Sequence, residues 1–411
     1  MVSFLLFDLD CIRAQFPALN RPLDGRVPLF LDGPGGTQVP QRVIDAIADY
    51  LTRCNSNHGG VFTTTRASDR LLDAAHTAVA DFLGASTPDE IVFGQNMTTL
   101  TFHVSRSVAR TWKRGDAICV TRLDHDANVR PWALAARDAG VEVRFIDIRE
   151  DGTLDPDDFA RKIVGTRLLA LTCASNALGT MPDVAALTAQ AHAAGALVYL
   201  DAVHFAPHAP IDVRAWGCDF LACSAYKFFG PHVGILWARR ELLESLPAYK
   251  VRPATESLPG RWMTGTQNHE GIAGTLAAVE YLESLGEGPT RRARLVDAMA
   301  AIRDYETALA ARLLAGLTAR PAWRIWGFSR AEDLPRRTPT FAVTHETRSA
   351  LEVAEHLARH EVYAWSGNFY ALELAERLGV EAQGGFVRLG LVHYNTAGEV
   401  ERTLAVLDEI A

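Results

Sequence analysis

The sequence predicts an α/β fold in which a mostly parallel sheet is covered by helices on both faces, followed by a smaller second unit. Three observations carry this. Short apolar runs alternate with amphipathic stretches from about residue 70 to 240. The runs are continuous rather than alternating in polarity, which marks strands buried on both faces. The pattern changes after about residue 290. In chain order, Arg70–Leu83 has helical apolar spacing, Ile91-Val-Phe93 and Ala117–Thr121 read as strands, Val129–Ala139 as a helix and Val141–Ile146 as a strand. Leu168–Thr172 is a buried strand, Asp183–Ala194 a helix, and Ala196–Leu200, Phe220–Cys223 and Gly234–Trp237 are further strands. A long Arg/Ala-rich helix over about Thr290–Ala315 opens the second unit, with two short strands and two helices after it, ending at Glu399–Ala411. The expected division is a segment 1–40 that packs on the small unit and crosses the site, a large unit 41–290 and a small unit 291–411.

Composition narrows the function classes. The chain has 411 residues, 48% hydrophobic and 22% charged, an ordinary globular balance. A net charge of −8 argues against a nucleic-acid partner. No run reaches the roughly 18–20 apolar residues that span a bilayer. Val2–Phe7 is apolar but short, lacks a basic flank and runs into Asp8 and Asp10, so it does not read as a signal peptide; a cytoplasmic protein is expected. The six cysteines include no C-x-x-C pair, so buried thiols are expected rather than disulfides or zinc, and no metal-ligand set is expected.

In open parallel sheets, ligands bind beyond the carboxyl ends of the strands. The run Leu197–Leu200 ends in Asp201, followed by Ala202, Val203 and His204. A carboxylate there can face a cationic ring nitrogen, as a pyridine cofactor such as pyridoxal phosphate requires if its ring is to accept electrons. A helix N-cap or loop aspartate is the alternative reading. The next run, Phe220–Cys223, leads into Ser224-Ala-Tyr-Lys227, then Phe228-Phe-Gly-Pro231 and another strand. Only four of the 41 basic residues are lysines: Lys113, Lys162, Lys227 and Lys250. Arginine cannot form a Schiff base, because its guanidinium stays protonated. Lys227 lies between apolar residues, a setting that disfavours the ammonium and eases imine formation; a surface turn lysine is the alternative. Lys113 sits in a turn, and Lys162 and Lys250 lie in polar helix-end contexts. Ser224 is placed to hydrogen-bond a phosphate oxygen.

Several further segments recur in a recognisable order: Leu31–Pro40, Asn55–Gly60, Asn96–Thr99, His125–Asn128 with Pro131-Trp132, Ser175–Gly179, Asp201–His204, Ser224–Lys227 with Gly230-Pro231, Gly265–Asn268, and Arg388 ahead of His393–Asn395. Over nearly the whole chain this resembles the class V aminotransferases among fold type I pyridoxal-phosphate enzymes, and within them the cysteine desulfurase/selenocysteine lyase branch. The resemblance implies a large domain with a mostly parallel seven-stranded sheet and a smaller C-terminal α/β domain. It also implies pyridoxal 5'-phosphate, a small amino-acid substrate and a homodimer with shared active sites. Lys227 would hold the cofactor as a Schiff base, His125 stack on its ring, Asp201 pair with the ring nitrogen, and Asn176 bond O3′. Met97, Thr98 and Ser224 would hold the phosphate, and Thr266 the phosphate of the neighbouring subunit. Arg388 would bind the substrate carboxylate, with Asn176, Tyr370 and Gly36 of the N-terminal loop also facing substrate. The bland alternatives are a loop histidine for His125, a turn residue for Asn176 and a structural ion pair for Arg388. His58 and His393 are possible additional site groups. Asp32-Gly-Pro-Gly-Gly lacks the G-x-G-x-x-G of a dinucleotide site.

The chain departs from that branch at three places. Desulfurases carry a nucleophilic cysteine in a segment like Arg-x-Gly-x-x-Cys-Ala; the matching stretch is Trp365-Ser-Gly-Asn-Phe-Tyr370-Ala371. Tyr370 stands where the thiol would be, and no cysteine follows Cys223. Trp365 replaces the motif's arginine. His204 replaces the usual Gln and could support O3′; Tyr226 replaces the His before the lysine and could serve as an acid. Trp365, Phe369 and Tyr370 would form an aromatic wall. The leading expectation is an enzyme of C–S or related β-lyase type that works without a persulfide. A class V aminotransferase or an amino-acid epimerase is the alternative, and a non-catalytic pyridoxal-phosphate-binding homologue is the alternative of another class.

Overall fold

The computed structural model describes residues 8–22 and 25–410. Val2–Phe7, read above for a signal peptide, lies outside the described residues, as does Ala411. Seven strands form the large sheet in the order Ile91–Gly94, Gly234–Ala238, Phe220–Ser224, Leu197–Asp201, Thr166–Thr172, Ala117–Thr121, Glu142–Ile146. Gly234–Ala238 alone runs against its neighbours; the other pairings are parallel. The continuous apolar runs are explained by burial on both faces. In Thr166–Thr172, Leu169 and Leu171 enter one core while Leu168 and Ala170 enter the other. Helices Met97–Ala109 and Arg130–Ala139 cover the second of these faces, and Thr63–Leu83 and Val184–Ala193 the first.

A second sheet of four antiparallel strands has the order Trp365–Gly367, Phe386–Gly390, Thr340–His345, Trp323–Trp326. The helix Arg291–Thr318 joins the two sheets. Its first half puts Leu295, Met299 and Ile302 into the large-sheet core; its second half puts Leu309, Leu313 and Leu317 into the small one. The N-terminal segment touches both. Phe16 packs edge-on against Tyr281 and Tyr394, and Leu29–Phe30 pairs in parallel with Val362–Tyr363. The chain then turns through Gly33–Gly35 toward the carboxyl ends of the large sheet.

Two expectations need correction. The helix read over Arg70–Leu83 begins at Thr63, because its first two turns are too polar to show an apolar period. After the long helix there are five strands and three helices among the described residues, not two of each. Val362–Tyr363 and Trp365–Gly367 are too short to display a period, and Leu372–Arg377 is a helix of only six residues. No helix among the described residues is long and apolar enough to cross a membrane.

Candidate active site

A cavity of about 290 Å³ opens at the carboxyl ends of the large-sheet strands, between the two sheets and under the N-terminal loop. Asp201 ends the strand Leu197–Asp201, and Lys227 closes the short turn Ala225–Lys227 that follows Phe220–Ser224. Both are buried, at 4% and 9% exposure. Lys227 Nζ donates to the Pro34 carbonyl and lies 4.7 Å from the centre of the Tyr226 ring. The loop is held against this turn by Thr37, whose amide and hydroxyl both reach the Tyr226 carbonyl at 3.0 and 3.2 Å.

The charges are tuned by burial. Lys227 is pushed down to about 7, first by desolvation and then by the Arg388 charge, partly offset by Asp201 and Asp32. Asp201 is pushed up to about 6 by desolvation, against the Val203 amide at 2.9 Å and the Lys227 charge. Near neutral pH the lysine therefore populates its nucleophilic amine, while most of the aspartate stays ionised. Burial, then Lys227 and Arg388, pushes His125 down to about 4, so its ring is neutral. Its Nδ1 accepts from the Ala127 amide at 3.0 Å, which puts the ring proton on Nε2.

At one end of the cavity, helix Met97–Ala109 begins behind Asn96, whose side chain accepts from the Thr99 amide at 2.9 Å. The Met97 amide donates to Ser224 Oγ at 3.0 Å. Neither contact uses Thr98, nor the Ser224 hydroxyl proton, and both residues line the cavity. A helix N-terminus with two free hydroxyls is a natural anion seat. Gly234 permits this approach: a Cβ there would fall 2.4 Å from the Asn96 carbonyl carbon.

The opposite wall comes from the small sheet. Arg388 pairs in register with Trp365, donates to the Asn176 carbonyl at 2.9 Å and lies 4.1 Å from the centre of the Phe369 ring. Burial pushes it down to about 9, so it remains charged at neutral pH. Phe369 and Tyr370 both have left-handed backbone, with φ of 56° and 60°. Such residues cost on the order of 1–3 kcal/mol each and persist when neighbours hold them. Here the Asn176 side chain binds the Phe369 carbonyl at 2.8 Å and the Asp126 amide binds the Tyr370 carbonyl at 2.7 Å. The Tyr370 ring stacks on His125 at 5.4 Å, yet 73% of the residue is exposed.

Of the residues given a cofactor, substrate or catalytic role from the sequence, all line this cavity except Gly36 and Thr266. Gly36 lies just behind it, where a Cβ would sit 3.2 Å from the Tyr226 ring. Thr266 is exposed in a separate surface groove of about 890 Å³ that also contains His103 and Trp262. His58 and His393 are not brought to the cavity: His58 packs near His269, and His393 is bonded to the Tyr281 hydroxyl at 2.6 Å in the core. His204 does line it, with Nε2 3.1 Å from the Thr338 hydroxyl. Sequence reasoning missed Asp124, a buried carboxyl that desolvation pushes up to about 8. It accepts from Thr121 and Asn128 directly beside His125; its only sequence signal was its place after a buried strand. It also assigned no role to Asp32, which burial raises to about 6 near Arg388 and Lys227.

Three buried polar atoms around this region have no partner: Asp32 Oδ1, Asn176 Oδ1 and Arg388 Nε. Orphaned polar atoms are costly inside a fold, and their convergence indicates a polar ligand. The donor set fits a flat cofactor carrying a phosphate, an aldehyde and a cationic ring nitrogen. Such a group would meet the anion seat at Thr98 and Ser224, the amine of Lys227 and the carboxylate of Asp201. No cysteine among the described residues lines the cavity.

Comparisons with known proteins place the chain in a family and a fold. The family model for aminotransferase class-V matches residues 29–403. The cysteine desulfurases of Pectobacterium atrosepticum and Cronobacter sakazakii are 32% and 33% identical, each over 98% of both chains. The apo cysteine desulfurase of Thermococcus onnurineus NA1 superposes with a TM-score of 0.89 at 27% identity, covering 98% of this chain and 97% of that one. The cysteine desulfurase CsdA of Escherichia coli, as the S-sulfonic acid, gives 0.84 at 27% identity over 98% of both.

Proposed function

The chain belongs to the class V aminotransferase family, a pyridoxal-phosphate enzyme like the cysteine desulfurases it resembles, and from that premise we propose that it cleaves the Cβ–S bond of a sulfur-containing or related amino acid without forming an enzyme persulfide. The observation that carries the reading is the pairing of a tuned Lys227 and Asp201 with a cavity rim that presents Tyr370 and no thiol.

Bound pyridoxal phosphate supplies an electron sink for the bonds at the substrate's α-carbon. Asp201 would keep a positive charge at the ring nitrogen, and the neutral His125 ring would stack on the cofactor. Thr98, Ser224 and the Met97 end of the helix would hold the phosphate, and Asn176 and His204 would support O3′. Arg388 binds the substrate carboxylate with charge-assisted hydrogen bonds. Lys227 Nζ, an amine near neutral pH, takes the α-proton. Tyr226, whose hydroxyl burial keeps protonated, can deliver a proton to the leaving sulfur. The balanced outcome for a thioether substrate is thiol, pyruvate and ammonium, with one water consumed. Trp365, Phe369 and Tyr370 offer an aromatic surface suited to a substituent larger than a bare thiol. Gly36 keeps the N-terminal loop close over Tyr226. Thr266, exposed away from its own cavity, is assigned to the phosphate of a second subunit in a homodimer.

The test is to incubate the holoprotein with cysteine, cystine and thioether amino acids and to assay pyruvate and ammonia. Their release supports the proposal. Amino transfer to a keto acid would replace it with an aminotransferase. Exchange of the α-hydrogen in deuterated water with no other product would replace it with an epimerase. A cofactor band that responds to no amino acid would point to a binding protein.

A further inference from the structure

Away from the cavity, on the outer side of the small sheet, two histidines and a glutamate converge. His356 lies in helix Ala350–Arg359 and His360 caps its C-terminus, four residues on, so both rings share one face. Their centres are 4.7 Å apart. Glu409 reaches them from the turn that follows helix Ala397–Leu407. Its Oε2 lies 3.1 Å from His360 Nε2 and 3.8 Å from His356 Nε2. One donor atom from each residue falls within 4.8 Å of the other two. None of the three lines the active-site cavity.

We propose that His356, His360 and Glu409 bind a divalent transition-metal ion of the zinc type, tying the C-terminal turn to this helix. The spacing suits it. Ligand atoms about 2.0–2.2 Å from a tetrahedral zinc lie roughly 3.3–3.6 Å apart, between the two distances found here. Imidazole and carboxylate together suit zinc, nickel or cobalt rather than the hard, oxygen-bound magnesium. The orientation suits it as well. His360 Nδ1 donates to the His356 carbonyl at 3.0 Å, an outer contact that metal-binding histidines usually make. With that proton fixed, the Nε2 of a neutral ring meets the carboxylate lone pair to lone pair at 3.1 Å, which a shared cation would relieve. His356 Nε2 is buried and has no hydrogen-bond partner. Arg359 approaches His356 Nδ1 at 3.4 Å, a long contact that gives way when Nδ1 carries the proton and Nε2 ligates. A cleft of about 290 Å³ beside the trio, lined by Glu352 and Glu355 and also by Arg348 and Arg359, gives the ion an entry path and room for a water as the fourth ligand.

The competing state is an imidazolium–carboxylate ion pair with no metal. The two separate in calorimetric titrations of chelator-stripped holoprotein with zinc chloride, repeated with cobalt chloride to read the visible bands of tetrahedral cobalt. The expected result is one zinc per chain and tetrahedral cobalt bands. Affinity should fall at least about tenfold in His356→Gln and in Glu409→Gln, with the cofactor absorbance and turnover unchanged, and magnesium should not compete. Both substitutions sit on partly exposed side chains, so folding is checked by the unaltered cofactor band. Failure of zinc to bind, or binding with the same affinity in both variants, would overturn the proposal.

Discussion

The two sides of the cavity differ in how they are built. The floor consists of strand ends and a helix start locked into the seven-stranded sheet: Asp201, Ser224, Lys227 and the Met97 turn. Its polar groups are buried and their protonation is shifted by that burial. The wall is the edge strand Trp365–Gly367 and the turn after it, in which Trp365 and Tyr370 are 56% and 73% exposed and Phe369 and Tyr370 hold left-handed backbone. The floor carries the Lys227, Asp201 and Ser224 that the family resemblance implies and differs from the desulfurase branch at His204 and Tyr226; the wall departs from it at Trp365 and Tyr370. Under the proposed function, cofactor chemistry would belong to the buried floor and substrate choice to the exposed wall.

That contrast can be broken by substitution. Lys227→Ala should remove the cofactor's visible band and cost at least about 10³-fold in kcat, within the range of a positioned base, while the thermal midpoint stays near that of the wild type. Asp201→Asn should retain bound cofactor but lower kcat by about 10²–10³-fold, the scale of one lost electrostatic contact at a reacting centre. Arg388→Gln removes charge-assisted hydrogen bonds worth about 1.5–3 kcal/mol, so kcat/KM should fall about 10–100-fold, mostly through KM.

The same variant sharpens the electrostatic account. Because the folded pKa of Lys227 lies below its ordinary value, the amine fraction grows as pH rises through about 7 rather than near 10.5. Cofactor capture by the stripped protein, followed by absorbance, should accelerate through that point, and Arg388→Gln should move the midpoint upward. Tyr370→Ala should do least. Its stacking on His125 is worth about 0.5–1.5 kcal/mol, so KM should change at most about tenfold and the cofactor band should not move. A larger loss of bound cofactor in Tyr370→Ala than in Asp201→Asn would erase the distinction between floor and wall.

Asp201 and Ser224 were legible in the sequence because each directly follows an apolar run, Lys227 because it stood out among a nearly all-arginine set of basic residues, and the Met97 turn only through the family resemblance. Asp124 escaped because its burial depends on Thr121 and Asn128 closing over it, which no linear pattern displays. The wall was legible only as residue types. The left-handed turn at Phe369 and Tyr370 is imposed by Asn176 and Asp126, far away in the chain, on residues that would not adopt it alone. The small sheet was undercounted for a related reason: its short strands are defined by their neighbours, not by their own periodicity. His356, His360 and Glu409 were likewise invisible as a group, since the last is brought in by the fold of the C-terminal helix.

The central claim is that this floor works without a sulfur-accepting thiol. Five of the six cysteines, at 54, 119, 173, 218 and 223, are buried, and that burial raises their thiols and keeps them protonated, while the exposed Cys11 does not line the cavity. The most direct test is to react the holoprotein with cysteine and thioether amino acids, then record the intact protein mass alongside the organic product. The account predicts pyruvate and ammonia with no added sulfur on the chain. Alanine, together with a mass gain of one sulfur atom, would contradict it.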